Sequence, residues 1–313
     1  MKEIKQVLIT GVAGFIGSNL LDFIIDQTDW RVHGIDNLST GNKDNIAAQL
    51  DHDRFTFIEM RVSELKSVKQ YEVVFHLAAL PRIQPSFEAI IEHVDANLNE
   101  ALSLIELMVA EDHFPRLVYS GSSSIYGNPE LVPTPESESI KCMNPYAFQK
   151  YEVEKYLELL SDRYPLNYIT LRYFNPYGPR SFNPLNSFNA YSSVIGIFLN
   201  RRSQDNPLYV TGDGSQRRDF IHVRDVAAAN VAAAQASEFS NTAYNIGQGD
   251  TMSVLELAQQ ISTNIEFIEM RKGEADITHA DNTKAKDELK WQPAMNLSAY
   301  LKDEIALIDS KRN

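Results

Sequence analysis

Cysteine is nearly absent: the 313 residues contain one, Cys142. A single thiol excludes an intrachain disulfide and fits a reducing compartment. Positive charge is also short, with 29 Lys and Arg against 42 Asp and Glu, for a formal net charge of −13. A surface that acidic repels nucleic acid and anionic membrane, so neither is expected as a partner. It leaves room for a small anionic ligand in a local basic pocket. No run of about 18 apolar residues occurs, which excludes a membrane-spanning helix. The stretch Met1–Gln6 is charged and Val7 already opens a strand-like run, so no signal peptide is expected and the reading is cytoplasmic. His76, His113, His222 and His279 have no metal-ligand spacing, so no metal is expected. Apolar residues, by contrast, make up 43% of the chain, enough for a sizeable core.

The first half alternates short apolar runs with amphipathic stretches. Val7–Thr10, Arg31–Asp36, Phe55–Ile58, Val73–Leu77, Arg116–Ser120 and Tyr168–Tyr173 read as buried strands. Phe15–Asp26, Val94–Asp112 and Pro145–Tyr164 read as helices between them. That alternation predicts an α/β fold: a Rossmann-type, doubly wound parallel sheet with helices on both faces. From Pro176 to Asn189 the chain is rich in Pro, Asn, Ser and Gly, a loop signature. Beyond it, helices at Ser187–Asn200 and Val254–Thr263 and short strands at Leu208–Val210 and Glu266–Met270 suggest a smaller mixed α/β lobe. The expected division is residues 1–175 as dinucleotide-binding domain and 176–313 as substrate lobe. A segment near 219–247, with helix Asp225–Ala236 and strand Ala243–Ile246, is expected to return to the first sheet.

Strand Val7–Thr10 runs into Gly11, Gly14 and Gly17, spaced G-x-x-G-x-x-G, and a helix follows. Glycine permits a tight turn and close approach to a pyrophosphate, and the helix N-terminus offers free N–H groups to it. A bland strand-to-helix turn gives the same three glycines. Asp36 ends the second strand about 20 residues on, where a carboxylate grips a ribose 2′-OH. It would repel a 2′-phosphate, so NAD is favoured over NADP. Taken alone, Asp36 could merely cap the next loop.

These residues, with others in order along nearly the whole chain, resemble the extended short-chain dehydrogenase/reductases, the NAD-dependent epimerase/dehydratase family. Within it the nearest likeness is to the UDP-glucose and UDP-N-acetylglucosamine 4-epimerases. The likeness is carried by Asp36-Asn-Leu-Ser-Thr-Gly41, His76-Leu-Ala-Ala79, Asn97, Tyr119-Ser-Gly-Ser-Ser-Ser-Ile-Tyr-Gly127 and the pair in Tyr146-Ala-Phe-Gln-Lys150. Arg172–Arg180, Gly212–Phe220 and Arg271-Lys-Gly-Glu274 continue it. It implies an NAD site made by Gly11, Gly14, Phe15, Ile16, Gly17, Asp36, Asn37, Ser39, Thr40, Gly41, Val62, Leu77, Ala78, Ala79, Asn97, Ser120, Tyr146, Lys150 and Tyr173. One departure stands out: Arg61-Val62 replaces the family's Asp-Ile, whose aspartate meets the adenine amine. Arg61 would stack on the adenine or face water.

The resemblance implies Ser122, Tyr146 and Lys150 as the catalytic residues, with Ser123 and Ser124 as adjacent alternatives to Ser122. Tyr146 and Lys150, four apart, share one helix face. A phenol with pKa about 10 is a poor base at neutral pH. A nearby ammonium and the cationic nicotinamide would favour phenolate. Ser123 and Ser124 occupy the slots in which the family's dehydratases carry an Asp-Glu pair, which argues against water elimination. The implied reaction is 4-epimerisation of a UDP-hexose by transient oxidation at C4. A UDP-sugar decarboxylase or other nucleotide-sugar oxidoreductase stands as the alternative, and a non-catalytic NAD-binding regulator as the reading from another class.

On the substrate side the resemblance implies Ser122, Ser123, Asn175, Asn189, Val194, Tyr209, Arg218, Arg271, Glu274 and Thr278. Arg218 and Arg271 match diphosphate-binding arginines, which pair bidentately with phosphate oxygens. Taken singly, each arginine reads as a surface ion pair. Asn175 would hold the diphosphate or the sugar, and Arg217 is expected to face solvent. Thr278 matches a position where some galactose epimerases carry tyrosine, and a small residue there leaves room for a 2-acetamido group. His222, Trp30 and Trp291 are expected to be structural. Family likeness further implies a homodimer, with Val94–Asp112 and Pro145–Tyr164 as the candidate interface helices.

Overall fold

A computed structural model describes residues 6–183, 192–236 and 241–312. The strands are β1 (Gln6–Thr10), β2 (Arg31–Asp36), β3 (Phe55–Glu59), β4 (Val73–His76), β5 (Arg116–Ser122), β6 (Tyr168–Tyr173), β7 (Leu208–Thr211), β8 (Arg217–Arg218), β9 (Thr242–Ile246), β10 (Met252–Ser253), β11 (Ile265–Ile268) and β12 (Ile277–Thr278). The helices are α1 (Phe15–Gln27), α2 (Ile83–Glu88), α3 (Ile90–Val94), α4 (Glu100–Ala110), α5 (Pro145–Ser161), α6 (Val194–Ser203), α7 (Val223–Gln235), α8 (Val254–Ile261), α9 (Thr283–Glu288) and α10 (Leu297–Ser310).

Seven parallel strands form the main sheet in the order β3-β2-β1-β4-β5-β6-β9. Parallel strands covered on both faces need apolar side chains throughout, and β1 and β4 read accordingly, with Val7–Thr10 and Val73–His76 buried. One face packs against α1 and α7, with Leu20, Leu21, Ile24, Val226 and Ala233 in the shared core. The other packs against α4 and α5, through Leu104, Met108, Val153 and Leu157. The order turns around at β1, whose neighbours are β2 and β4. In such sheets ligands bind at the carboxyl ends of strands beside that switch point.

The return strand foreseen at Ala243–Ile246 is β9, paired with β6 from Ile169↔Thr242 to Tyr173↔Ile246. A third core gathers Tyr177, Ile195, Phe198, Val210, Leu257 and Leu301, under the small sheets β11-β7 and β10-β8-β12. Trp30 stacks on Phe75, and Trp291 donates its indole N–H to the Asp225 carbonyl at 2.9 Å, both structural as expected. His222 caps α7, accepting from the Arg224 amide.

Three elements depart from the sequence reading. The helix expected at Val94–Asp112 starts earlier, at Ile90, and widens into a π turn over Asp95–Asn99 before α4. The helix expected over Ser187–Asn200 is α6, begun by the Ser193 hydroxyl accepting from the Gly196 amide; residues 187–191 and the candidate Asn189 lie outside the described residues. Helix α2 was not foreseen, its six residues being too short for a periodic signal and interrupted by Pro85. Among the described residues no helix is long and apolar enough to cross a membrane, and no cluster of three His, Cys, Asp or Glu side chains is arranged to hold a metal.

Candidate functional site

The carboxyl ends of β1, β2, β4, β5 and β6 open into one cavity of about 1160 Å³, closed on the far side by α6, β7, β8, β12 and the loop 271–275. Ligand pockets commonly occupy about 300–1,000 Å³, so this one has room for two molecules in contact.

At its inner end lies the glycine turn. Gly11 has φ +72°, and a Cβ there would come within 2.8 Å of the Ala78 amide; at Gly17 a Cβ would stand 2.1 Å from the Gly11 carbonyl oxygen. Helix α1 starts without a side-chain cap or a first-turn acid, and the amides of Phe15, Ile16 and Gly17 have no acceptor among the described residues. Such an end favours an anion. Asp36 is buried, its two oxygens accepting from the amides of Ala13 (2.9 Å) and Leu38 (2.8 Å), and burial raises its pKa. Asn37, Ser39, Thr40, Gly41, Val62, Leu77, Ala78, Ala79, Ser120 and Tyr173 also line this end. The turn, the free amides and the carboxylate together fit a dinucleotide.

Asn97 does not line it. Its amide is buried, with the oxygen accepting from the Leu80 N–H (2.7 Å) and the nitrogen donating to Leu80 O and Gln149 Oε1. It ties the loop after β4 to α5 from outside the cavity lining, so the expectation of a cofactor contact is corrected to a supporting one. Arg61 lines the cavity, but its Nε donates to Glu100 at 2.7 Å, and Glu100 also accepts from Ser63.

The middle of the cavity holds the tyrosine. Helix α5 begins at Asn144, whose side chain accepts from the Ala147 amide (2.8 Å), with Pro145 in the first turn. Tyr146 in that same turn and Lys150 one turn later face the end of β5. Tyr146 is hydrogen-bonded to Ser122, which also contacts Ser124 Oγ at 2.8 Å. Burial pushes the Tyr146 phenol above its ordinary value, opposed by the Ser122 bond and by the positive charge of Arg82. Arg82 is thus a cation acting on the phenol that the sequence did not point to. Lys150 donates to the Ser120 carbonyl at 2.9 Å over the Tyr119 ring, leaving two N–H donors for a ligand. Burial pushes its pKa down to about 8.

The outer end carries the arginines. Arg218, on β8, lies 3.6 Å from Glu274, and Arg271 shares that wall. Thr278, on β12 opposite Arg218, accepts from Asn175 Nδ2 at 2.9 Å, so the two candidates hold each other. Val194, Tyr209 and Ser123 complete the foreseen lining. Arg217 lies outside the cavity lining with a side chain 42% exposed, as expected, and donates to Thr251 twice and meets Glu256 at 3.4 Å.

Two arginines lining the cavity escaped the sequence reading. Arg201 lies over the Tyr209 ring, 3.9 Å from its centroid. Arg82 precedes α2 with φ 95° and ψ 143°, a conformation that costs a non-glycine residue about 1–3 kcal/mol. A cation three residues after His76-Leu-Ala-Ala79 was its only signal.

This doubly wound sheet, with a glycine turn at its switch point and a Tyr-Lys pair facing it, defines a dinucleotide-dependent enzyme of small molecules. Residues 7–247 match the NAD dependent epimerase/dehydratase family. A relative from Methanocaldococcus jannaschii, provisionally named a UDP-glucose 4-epimerase, is 33% identical, over 95% of this chain and 96% of its own. The structure of a UDP-glucose 4-epimerase from Thermotoga maritima, solved with UDP-glucose, superposes with a TM-score of 0.88 at 30% identity, over 98% of this chain and all of the other. A UDP-N-acetylglucosamine 4-epimerase from Methanobrevibacter ruminantium, in complex with UDP-N-acetylmuramic acid, gives 0.88 at 30%, over 99% of this chain and all of its own. The chain belongs to the NAD dependent epimerase/dehydratase family.

Proposed function

We propose that the protein interconverts UDP-hexoses by NAD-dependent epimerisation at C4, with Ser122, Tyr146 and Lys150 at the reacting carbon. The observation that carries this reading is the half-buried Tyr146 bonded to Ser122 in a cavity that joins the glycine turn to the arginine wall. NAD⁺, when bound, accepts a hydride from the sugar C4 and later gives it back. Tyr146 takes the 4-hydroxyl proton as that hydride leaves and returns it to the carbonyl oxygen on reduction. Ser122 bridges the sugar oxygen and the phenol. Lys150 holds the nicotinamide ribose with its free donors, and Asp36 holds the adenosine ribose. Arg218 and Arg271 pair with the substrate diphosphate. Between the two half-reactions the 4-keto sugar turns its other face, for which a wide cavity leaves room. Ser123 and Ser124 bring no carboxyl for water elimination.

Thr278 ends in a methyl and a hydroxyl already engaged by Asn175. Space beside it supports acceptance of a 2-acetamido sugar, so UDP-GlcNAc and UDP-GalNAc join UDP-glucose and UDP-galactose as expected substrates. The test is to incubate purified protein separately with UDP-glucose and UDP-GlcNAc and follow the C4 proton by NMR. Galacto isomers without net redox change support the reading; sugar oxidation with accumulating reduced cofactor sinks it.

We infer a homodimer as well. Ile90 and Ile91 on α3 and Phe148, Tyr156 and Leu159 on α5 are exposed apolar side chains, and α3 packs against α5. Large apolar patches on a surface mark association sites. The contact would start at α3, earlier in the chain than the Val94–Asp112 helix suggested. Light scattering that returns a monomer overturns it.

A further inference from the structure

Arg82 is a cation without a partner among the described residues, on the Tyr146 side of the cavity. Its guanidinium makes no hydrogen bond or close ion pair with the described residues, and its Nε is sealed from solvent with no acceptor. Arg82 is half-buried, and a charged group whose inner N–H is sealed from water without an acceptor is costly. Its backbone conformation is one that glycine adopts freely and arginine does not. Two unfavourable features at one position, one in the backbone and one in the side chain, point to a function for it.

Its surroundings narrow the ligand. The charged and titratable groups around it are Tyr146, Glu274 and Arg271. Gln84, two residues on, donates to the Lys272 carbonyl at 2.8 Å, so the loop carrying Arg271 and Glu274 is clasped against α2. A nucleotide sugar with C4 at Tyr146 and its diphosphate at Arg218 and Arg271 spans the gap between them. The diphosphate hangs from C1, across the ring from C4. With the diphosphate taken by Arg218 and Arg271, an anion that meets Arg82 on its Tyr146 side would be carried on the sugar, on a carbon next to the C4–C5 edge or the C3 oxygen.

We propose that Arg82 binds a carboxylate on the sugar, at C6 of a hexuronate or on an acid ether at C3, and so sets a preference for acidic UDP-sugars. This rests on the UDP-sugar reading above. A guanidinium matches a carboxylate bidentately, and no chemistry beyond the epimerisation is required.

Binding and turnover are read separately. Calorimetry compares UDP-glucuronate with UDP-glucose, and UDP-N-acetylmuramate with UDP-GlcNAc, on the wild type, Arg82→Gly and Arg82→Gln. Glycine suits the backbone conformation, and glutamine keeps the Cβ without the charge. The wild type is expected to bind one acid at least ~10-fold tighter than its neutral counterpart. Both variants should lose that ratio, on the scale of a buried charge pair deprived of one member. The winning pair identifies C6 or C3. Equal affinity for acid and neutral sugars in the wild type, or a ratio untouched by both variants, overturns the proposal. So does equal slowing of all sugars with a raised pH optimum, which would assign Arg82 to Tyr146 alone. Epimerisation of neutral sugars with acids excluded sinks only the role of Arg82; absence of any UDP-sugar binding sinks the reading beneath it.

Discussion

At the glycine-turn end the cavity is made mostly of backbone, whereas at the arginine end it is made of long charged side chains. The first relies on three glycines, three free amides and one carboxylate held by main-chain N–H groups. The second relies on Arg218 and Arg271 around Glu274, with Arg82 between them and Tyr146. The glycine turn cannot be retuned by changing a side chain, and Asp36 is the one charged side chain beside it. The other end can be retuned side chain by side chain, so substitutions there are expected to act on substrate choice. A protein with a net charge of −13 thus concentrates cations where an anionic sugar nucleotide has to be held.

Substitutions should separate the two ends from the chemistry between them. The largest effect is expected for Tyr146→Phe, which removes the proton carrier and touches neither end. Its kcat should fall by about 10²–10⁴-fold, the range for general acid–base catalysis, with NAD and UDP-sugar affinities retained in calorimetry. A loss of NAD binding instead would place Tyr146 in the cofactor wall. Thr278→Tyr strikes the substrate end. Overpacking of about 1–3 kcal/mol should cost UDP-GlcNAc roughly 10- to 100-fold in kcat/KM, with UDP-glucose much less affected. Equal loss on both sugars removes the steric argument.

Gly17→Ala strikes the backbone end. A Cβ 2.1 Å from the Gly11 carbonyl must displace the turn, so NAD should bind about 10-fold more weakly and Tm should fall for every substrate alike. An unchanged NAD affinity would mean that the turn does not touch the cofactor. The smallest effect is in pH. The Lys150 pKa is lowered from 10.5 to about 8, so its ammonium is present below pH 8 and lost above it. NAD affinity should decline a few-fold as pH rises through 8, and Lys150→Met should flatten the profile. For stability the sign is opposite: the cost of burying the charge is present below pH 8 and is relieved as pH rises toward 10.5.

Much of the backbone end was legible because its cause is local. Strands buried on both faces read as unbroken apolar runs, and the glycines and Asp36 keep fixed distances along the chain. The Tyr146 and Lys150 spacing is equally local. The arginine end depends on contacts between distant segments: Gln84 meets Lys272, 188 residues away, and Asn175 meets Thr278. Motif likeness pointed to Arg218, Arg271 and Thr278, which do line the cavity, whereas Arg82 belongs to no motif and was missed. Asn97, expected at the cofactor, lies outside the lining. The π turn that carries it directs its amide to Leu80 and Gln149, and no periodicity argument marks a π turn. Helix α2, short and containing a proline, left no pattern to read.

Asn144 joins two parts of the cavity wall. Its oxygen caps the helix that bears Tyr146, and its nitrogen donates at 3.0 Å to the Gly273 carbonyl, in the loop of Arg271 and Glu274. Gln84 holds the same loop through the Lys272 carbonyl. A displacement of that loop is therefore felt at the cap of the helix, two residues before Tyr146. The position of one wall and the placement of the phenol are mechanically coupled, and a ligand that shifts the first shifts the second.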